Sequence, residues 1–272
     1  MSDQTEIIPP QFTAMILCER HVAVSFNDLA AALKRIAPAA VLGDWSCPIT
    51  TPADGFGTEL LSLDGQQMAV LAVDAPAPAI SLDFGPLPNL LWPDPSKEMA
   101  KHRAHVMIVA PGEPANRAEA IVKARAVTLV AAGYAALVRT IGVVWVDAGN
   151  LVPPAVFTKL TEQIGAPDGI AVPFWVRVKF APTSVQSGGS RAFVVGTAGL
   201  SALCHPELEY APSPNPLELS SHALATAQYL LSSGASLKGG QTIGVDGQKR
   251  YDLKPKVPGM FTPGAVITLE AR

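Results

Sequence analysis

The sequence predicts an α+β protein: two ferredoxin-like α/β-sandwich halves with mainly antiparallel sheet, packed as one body. Three observations carry this reading. Apolar runs of strand length alternate with capped helical segments. The first 110 residues run in the order β-α-β-β-α-β. The remainder also mixes helices with short strands joined by turns. The halves are drawn at residues 1–110 and 111–272, as parts of one body or of one continuous domain.

Phe12 to Glu19 is an apolar run with the length of a buried strand. Ser25 is an N-cap with Asp28 at N3, and Leu29, Ala32, Leu33 and Ile36 follow at helical spacing until Pro38 ends the helix. Thr58 to Leu63 and Gln67 to Asp74 flank Asp64-Gly65-Gln66, the signature of a β-hairpin. The proline-rich stretch Ala75 to Asn89 is an extended connection. A short helix follows between Trp92 and Lys101, then a strand from His105 to Ala110.

Asn116 and Glu119 cap the longest helix, whose apolar stripe is interrupted by Arg125 and Gly133. Gly142 to Val146 is a buried strand and Pro154 to Ile164 a second helix. Phe174 to Phe180 and Ala192 to Gly196 read as strands around a polar loop. In Pro206 to Tyr210, alternation puts Leu208 and Tyr210 on one face and Glu207 and Glu209 on the other. Asn215, Pro216 and Glu218 open a helix, Gly234 closes it, and Leu217, Leu224, Leu230 and Leu231 mark its buried side. Gly239 to Gly244 is a turn, and Val266 to Glu270 a final strand.

Composition narrows the function classes. Of the 272 residues 49% are hydrophobic and only 16% charged, which excludes extended disorder. A net charge of −3 without a basic face argues against nucleic acid as a partner. Cys18, Cys47 and Cys204 are odd in number and far apart, so reduced thiols and a cytoplasmic location are expected. The polar, acidic start is not a signal peptide, and no run reaches the ~20 apolar residues of a membrane span.

Four places could hold chemistry. Cys204, His205, Glu207 and Glu209 form the densest cluster, able to bind a ligand or metal or to act as an acid/base pair; paired carboxylates on an exposed strand face are the plainer reading. His102 and His105 form an HxxH, but lack the intervening Glu of HExxH, and a solvated helix end accounts for them. Cys18 and His21 bring a thiol near an imidazole, yet Cys18 lies in an apolar strand and reads as a small buried hydrophobe. Trp92, between prolines, is the candidate protein-binding aromatic. The glycines of 239–244 lack the ending of a P-loop, and no GxSxG, EF-hand loop or CxxC occurs.

One resemblance emerges. Gly142-Val143-Val144-Trp145, Thr197-Ala198-Gly199-Leu200 leading into Pro206-Glu207-Leu208-Glu209, the helix from Pro216-Leu217-Glu218 to Tyr229-Leu230-Leu231, and Thr242-Ile243-Gly244 resemble a bacterial family known as domain of unknown function 4261. The similarity is clearest from about His105 to Tyr251. Where the family carries an acid before Thr-Ile-Gly, this chain has Gly240 and Gln241. The resemblance implies company with secreted-toxin and immunity clusters, and hence a protein-binding role.

The first expectation is therefore a non-catalytic cytoplasmic factor, immunity-type or secretion-associated, that binds a toxin or secretion component. The alternative is a metal- or small-ligand-binding enzyme built on His205, Glu207 and Glu209. A homodimer through open sheet edges is a third reading. No cofactor, nucleic acid or membrane is implied.

Overall fold

A computed structural model describes residues 12–43, 48–50, 56–78, 91–92, 94–166, 168–187, 190–245, 247 and 249–272. The strand predicted at the start is β1 (Phe12–Cys18), buried along its whole length. It lies between β6 (Ala104–Ala110) and β7 (Thr140–Trp145), antiparallel to both. Central placement explains the near-continuous apolar run, interrupted only at Thr13, because both faces of β1 are covered. Phe12, Ala14, Ile16 and Cys18 join the main core, while Met15 and Leu17 face a smaller cluster with Trp92, Met99 and Ile141.

Outward from β6 the first sheet continues through β5 (Gln66–Val73) and β4 (Phe56–Leu63) to β2 (Leu42–Gly43), with β3 (Pro48–Thr50) also on β4; β8 (Asn150–Val152) extends it beyond β7. Asp64 at φ 51° and Gly65 at φ 79° make the turn between β4 and β5, as the dipeptide predicts. Every pairing in this sheet is antiparallel. The α+β class holds, but a ferredoxin-like half needs a parallel pair beside its first strand, and the described strands of this sheet contain none. The boundary drawn at 110 also falls inside the sheet, since β7 pairs with β1.

Helices α1 (Phe26–Ile36), α3 (Arg117–Ala135) and α4 (Pro154–Ile164) cover one face, and the short α2 (Ser96–Met99) lies on the other side. Ser25 caps α1 as expected, accepting the Asp28 N–H at 3.2 Å. Small residues let α3 approach closely: a Cβ on Gly133 would come within 2.7 Å of Leu29. Buried Lys123 turns its ammonium to the Pro111 and Gly112 carbonyls, at 3.3 and 3.1 Å, and to Glu119 at 3.3 Å.

The segment predicted as strand from Phe174 begins instead with α5 (Val172–Trp175), one helical turn after which β9 (Arg177–Ser187) starts. The second sheet runs in the order β12 (Thr242–Val245), β13 (Lys249–Lys256), β14 (Val266–Ala271), β11 (Glu207–Ser213), β10 (Ser190–Ala198), β9. Among the described strands only β11 and β14 pair in parallel. Helix α6 (Pro216–Ser233) covers one face, capped by Asn215 and ended by Gly234 at φ 71°. Leu230 and Leu231 are buried and Leu224 is half-buried, but Leu217 points to solvent. The sheets meet at an aromatic seam in which Trp145 and Phe157 pack on Phe174, with centroids 5.4 and 4.9 Å apart. Trp175 donates its indole N–H to Thr128 of α3 at 2.8 Å. Asn150 donates to the Pro173 and Phe174 carbonyls at 2.6 and 3.1 Å.

Asp147, in the turn from β7 to β8, accepts the Thr13 N–H at 2.9 Å and so fixes the start of β1. Burial raises its carboxyl to about 6, against hydrogen bonds that lower it. The folded protein thus holds this proton more tightly than the unfolded chain, so the cost of ionisation is absent at about pH 4 and complete above about pH 6. Asp147→Asn keeps an acceptor without the charge. It is expected to be about 1–2 kcal/mol more stable than the parent at pH 7.5 and equal to it at pH 4, read by urea unfolding across that range.

Candidate functional site

The cluster Cys204 to Glu209 forms the turn from β10 into β11. Gly199, at φ 111°, starts it, and a Cβ there would come within 2.3 Å of the Trp175 carbonyl. A single 3-10 turn, Ser201–Leu203, follows and ends at Cys204 in the left-handed region with φ 61°. Leu200 and Leu203 are buried, whereas Cys204 is exposed. The turn delivers His205 inward, where 8% of its surface remains accessible. Its main-chain N–H bonds to Leu200 at 3.0 Å, and its Nε2 has no partner among the described residues. Burial, and then the charge of Arg117, depress its pKa, favouring the neutral imidazole.

Alternation puts Glu207 and Glu209 on one face, as the sequence predicts, but that face is not exposed: they are 5% and 2% accessible. Glu207 collects four donors. Thr197 Oγ1 donates to Oε2 at 2.7 Å, while Gly199 N–H, Ser201 N–H and Ser201 Oγ all reach Oε1 at 2.9 Å. Thr197 Oγ1 in turn accepts the Leu208 N–H at 2.9 Å. The carboxylate is the hub of its own turn, and its oxygens face main chain and hydroxyl groups, not an opening.

Glu209 performs the same work one step further along. It pairs with Lys256 at 2.9 Å and accepts the main-chain N–H groups of Met260 and of Phe261, the latter at 3.3 Å. These bonds draw the 257–265 segment across the outer face of the second sheet. Phe261 lies over Gly196, where a Cβ would come within 2.6 Å of its ring. Beside them, Lys179 has its ammonium pKa lowered by burial and by Arg177, opposed by Glu207.

The remaining candidates also turn inward. His102 is buried rather than solvated; its Nε2 accepts the Ala77 N–H at 3.0 Å and its Nδ1 meets the Met99 carbonyl. His105, on β6, bonds through Nδ1 to the Ala75 carbonyl at 2.8 Å. The HxxH pair thus fastens the segment after β5 to the sheet. Cys18 is buried, and burial lifts its thiol to about 12, out of range for a nucleophile. Cys47 lies outside the described residues. Trp92 is half-buried and packs against Gly142 in the smaller cluster. Among the described residues no group of three His, Cys, Asp or Glu is placed to hold a metal, and no helix is long and apolar enough to cross a membrane.

One polar network escaped the sequence reading. His222 of α6 bonds through Nδ1 to Tyr251 at 2.7 Å, and Tyr210 bonds to Thr226 at 2.8 Å. The two tyrosine rings meet edge-on, 5.1 Å apart. The available signal was His222 and Thr226 on the buried stripe of α6 with Leu219, Ala223 and Leu230.

Residues 196–270 match DUF4261, a domain of unknown function. The DUF4261 match therefore begins near the end of β10 and takes in β11, α6, β12, β13 and β14. It contains Glu207, Glu209 and the His222–Tyr251 pair, while the Gly142-Val143-Val144-Trp145 motif lies outside it. No curated protein and no solved structure matches the chain.

Replacing Glu207 by Ala strands several buried donors. Glu207→Ala is expected to lose about 3–5 kcal/mol in urea unfolding, whereas Cys204→Ser, at an exposed position, changes stability by less than about 0.5 kcal/mol.

Proposed function

We propose that the protein is a non-catalytic binding factor for another protein. The observation that carries this is how its side chains are divided. Groups with chemical capability are built into the fold: the carboxylates of the cluster are engaged by four donors at Glu207 and three at Glu209, and both histidines of the HxxH hold main chain. Large apolar side chains stand in solvent instead, with Leu217 65% and Tyr229 50% accessible on α6, and Val257 71% on the segment crossing the second sheet. Exposed aromatic and aliphatic side chains on a rigid element are what a protein interface uses.

The toxin and immunity company implied by the resemblance makes a toxin or secretion component the first partner to test, in the cytoplasm. For the alternative, an enzyme built on His205, Glu207 and Glu209, the open Nε2 of His205 is the supporting observation. The two carboxylates it would need are already engaged.

The test mixes the purified protein with separately purified products of the genes encoded beside its own. One stoichiometric complex is expected in gel filtration, weakened at least tenfold by Leu217→Glu or Tyr229→Glu. A protein that stays alone in every mixture overturns the reading.

A further inference from the structure

We infer that the open edge of the second sheet at β12, under the overhang of α6, takes an extended peptide segment as an added strand. This rests on the protein-binding reading above and names the chemistry of the partner.

Among the described residues β12 ends the sheet, paired on one side only, with Ile243 opposite Tyr251 and Val245 opposite Lys249. The Leu253 N–H bonds to the Gln241 carbonyl at 2.9 Å, and on the other side of β13 the Arg272 N–H bonds to the Arg250 carbonyl at 3.0 Å. Alternation along an antiparallel pair then turns the main-chain groups of Ile243 and Val245 toward β13 and those of Thr242 and Gly244 outward. Thr242 and Gly244 are both exposed. Four residues of edge therefore offer two N–H and two C=O groups to a neighbouring strand.

The space beside this edge has a matching shape. A groove of about 480 Å³ runs between β12 and α6, lined by Ala225, Thr226 and Tyr229 from the helix and Ile243 and Val245 from the strand. A strand added to β12 would turn every second side chain under α6 into that groove, at intervals of about 7 Å. The occupant is a peptide of four or five extended residues with aliphatic side chains at alternate positions, held by main-chain bonds and selected by the groove.

The opposite edge is built differently. β9 carries Pro182, opposite Phe193, together with the half-buried Lys179, and proline and charge are the devices that deter strand addition. β12 has neither among its four residues, and a Cβ on its Gly244 would meet nothing closer than 4.0 Å.

The experiment pans a displayed library of random 12-residue peptides on the full chain and synthesises the enriched sequences. Enriched peptides are expected to alternate aliphatic and polar residues, and on binding to slow amide exchange at Thr242 and Gly244 at least tenfold. Gly244→Pro, which deletes an outward N–H while sparing the bonds to β13, should raise Kd at least tenfold. Ala225→Glu, which places charge in the groove, tests the same site should the proline variant fold poorly. No enrichment, equal binding by both variants, or protection confined to other segments overturns the inference. A partner complex that survives both substitutions removes this edge while leaving protein binding standing. Dimerisation in sedimentation that both substitutions abolish assigns the edge to a second copy and likewise overturns it.

Discussion

The second sheet is attached to the first through a turn that one buried carboxylate organises. An ionised carboxylate without water is unfavourable by several kcal/mol unless donors replace its hydration. Glu207 has four such donors, three from its own turn and one, Thr197 Oγ1, from the end of β10, and among the described residues no cation is bonded to it. The bonds fix the path of Gly199 and Ser201, and that path presses Gly199 against the Trp175 carbonyl and Ala148. Ala148 belongs to the β7–β8 turn of the first sheet and Trp175 leads into β9 of the second. The carboxylate therefore orders a local turn, the turn meets the aromatic seam, and the seam joins the sheets.

Glu209 shows how the same residue type does a different task two positions on. Its partners come from about fifty residues away, so it fastens a distant segment where Glu207 shapes a local one. Both carboxylates lie on the face of β11 opposite α6, which needs a cover of its own. The 257–265 segment supplies that cover, with Phe261 seated on Gly196. A larger residue at 196 would displace the ring, so the glycine and the phenylalanine are coupled through space.

Local grammar was legible in the chain, and distant cover was not. Ser25, Asn116 and Asn215 cap the helices they were expected to cap, and Gly234 ends α6 in the left-handed region. Asp64 and Gly65 turn the first hairpin. Each of these depends on neighbours within four residues. The faces of Glu207 and Glu209 were also readable, since alternation gives parity, but their burial depends on what crosses that face. The order of strands failed for the same reason: β7 reaching back to β1 is a contact across more than a hundred residues. Leu217 was placed inside because it is apolar, yet the buried stripe of α6 starts at Leu219. Thr242 to Gly244, read as the end of a turn from Gly239, instead open β12; the β12–β13 hairpin was missed because most of its side chains are exposed, leaving only Tyr251 and Leu253 as an alternating signal on β13.

The shape of the second layer explains why its polar interior and its open edge belong together. One helix of 18 residues, about 27 Å long, serves a sheet of six strands spanning about 24 Å. It touches β9, β10, β11 and β12, so it reaches the last strand with its flank still apolar at Ala225 and Tyr229. A helix fastened centrally by His222 to Tyr251 and by Thr226 to Tyr210 cannot roll to hide that flank without breaking both buried bonds. The network that holds α6 in register is therefore also what keeps the groove open.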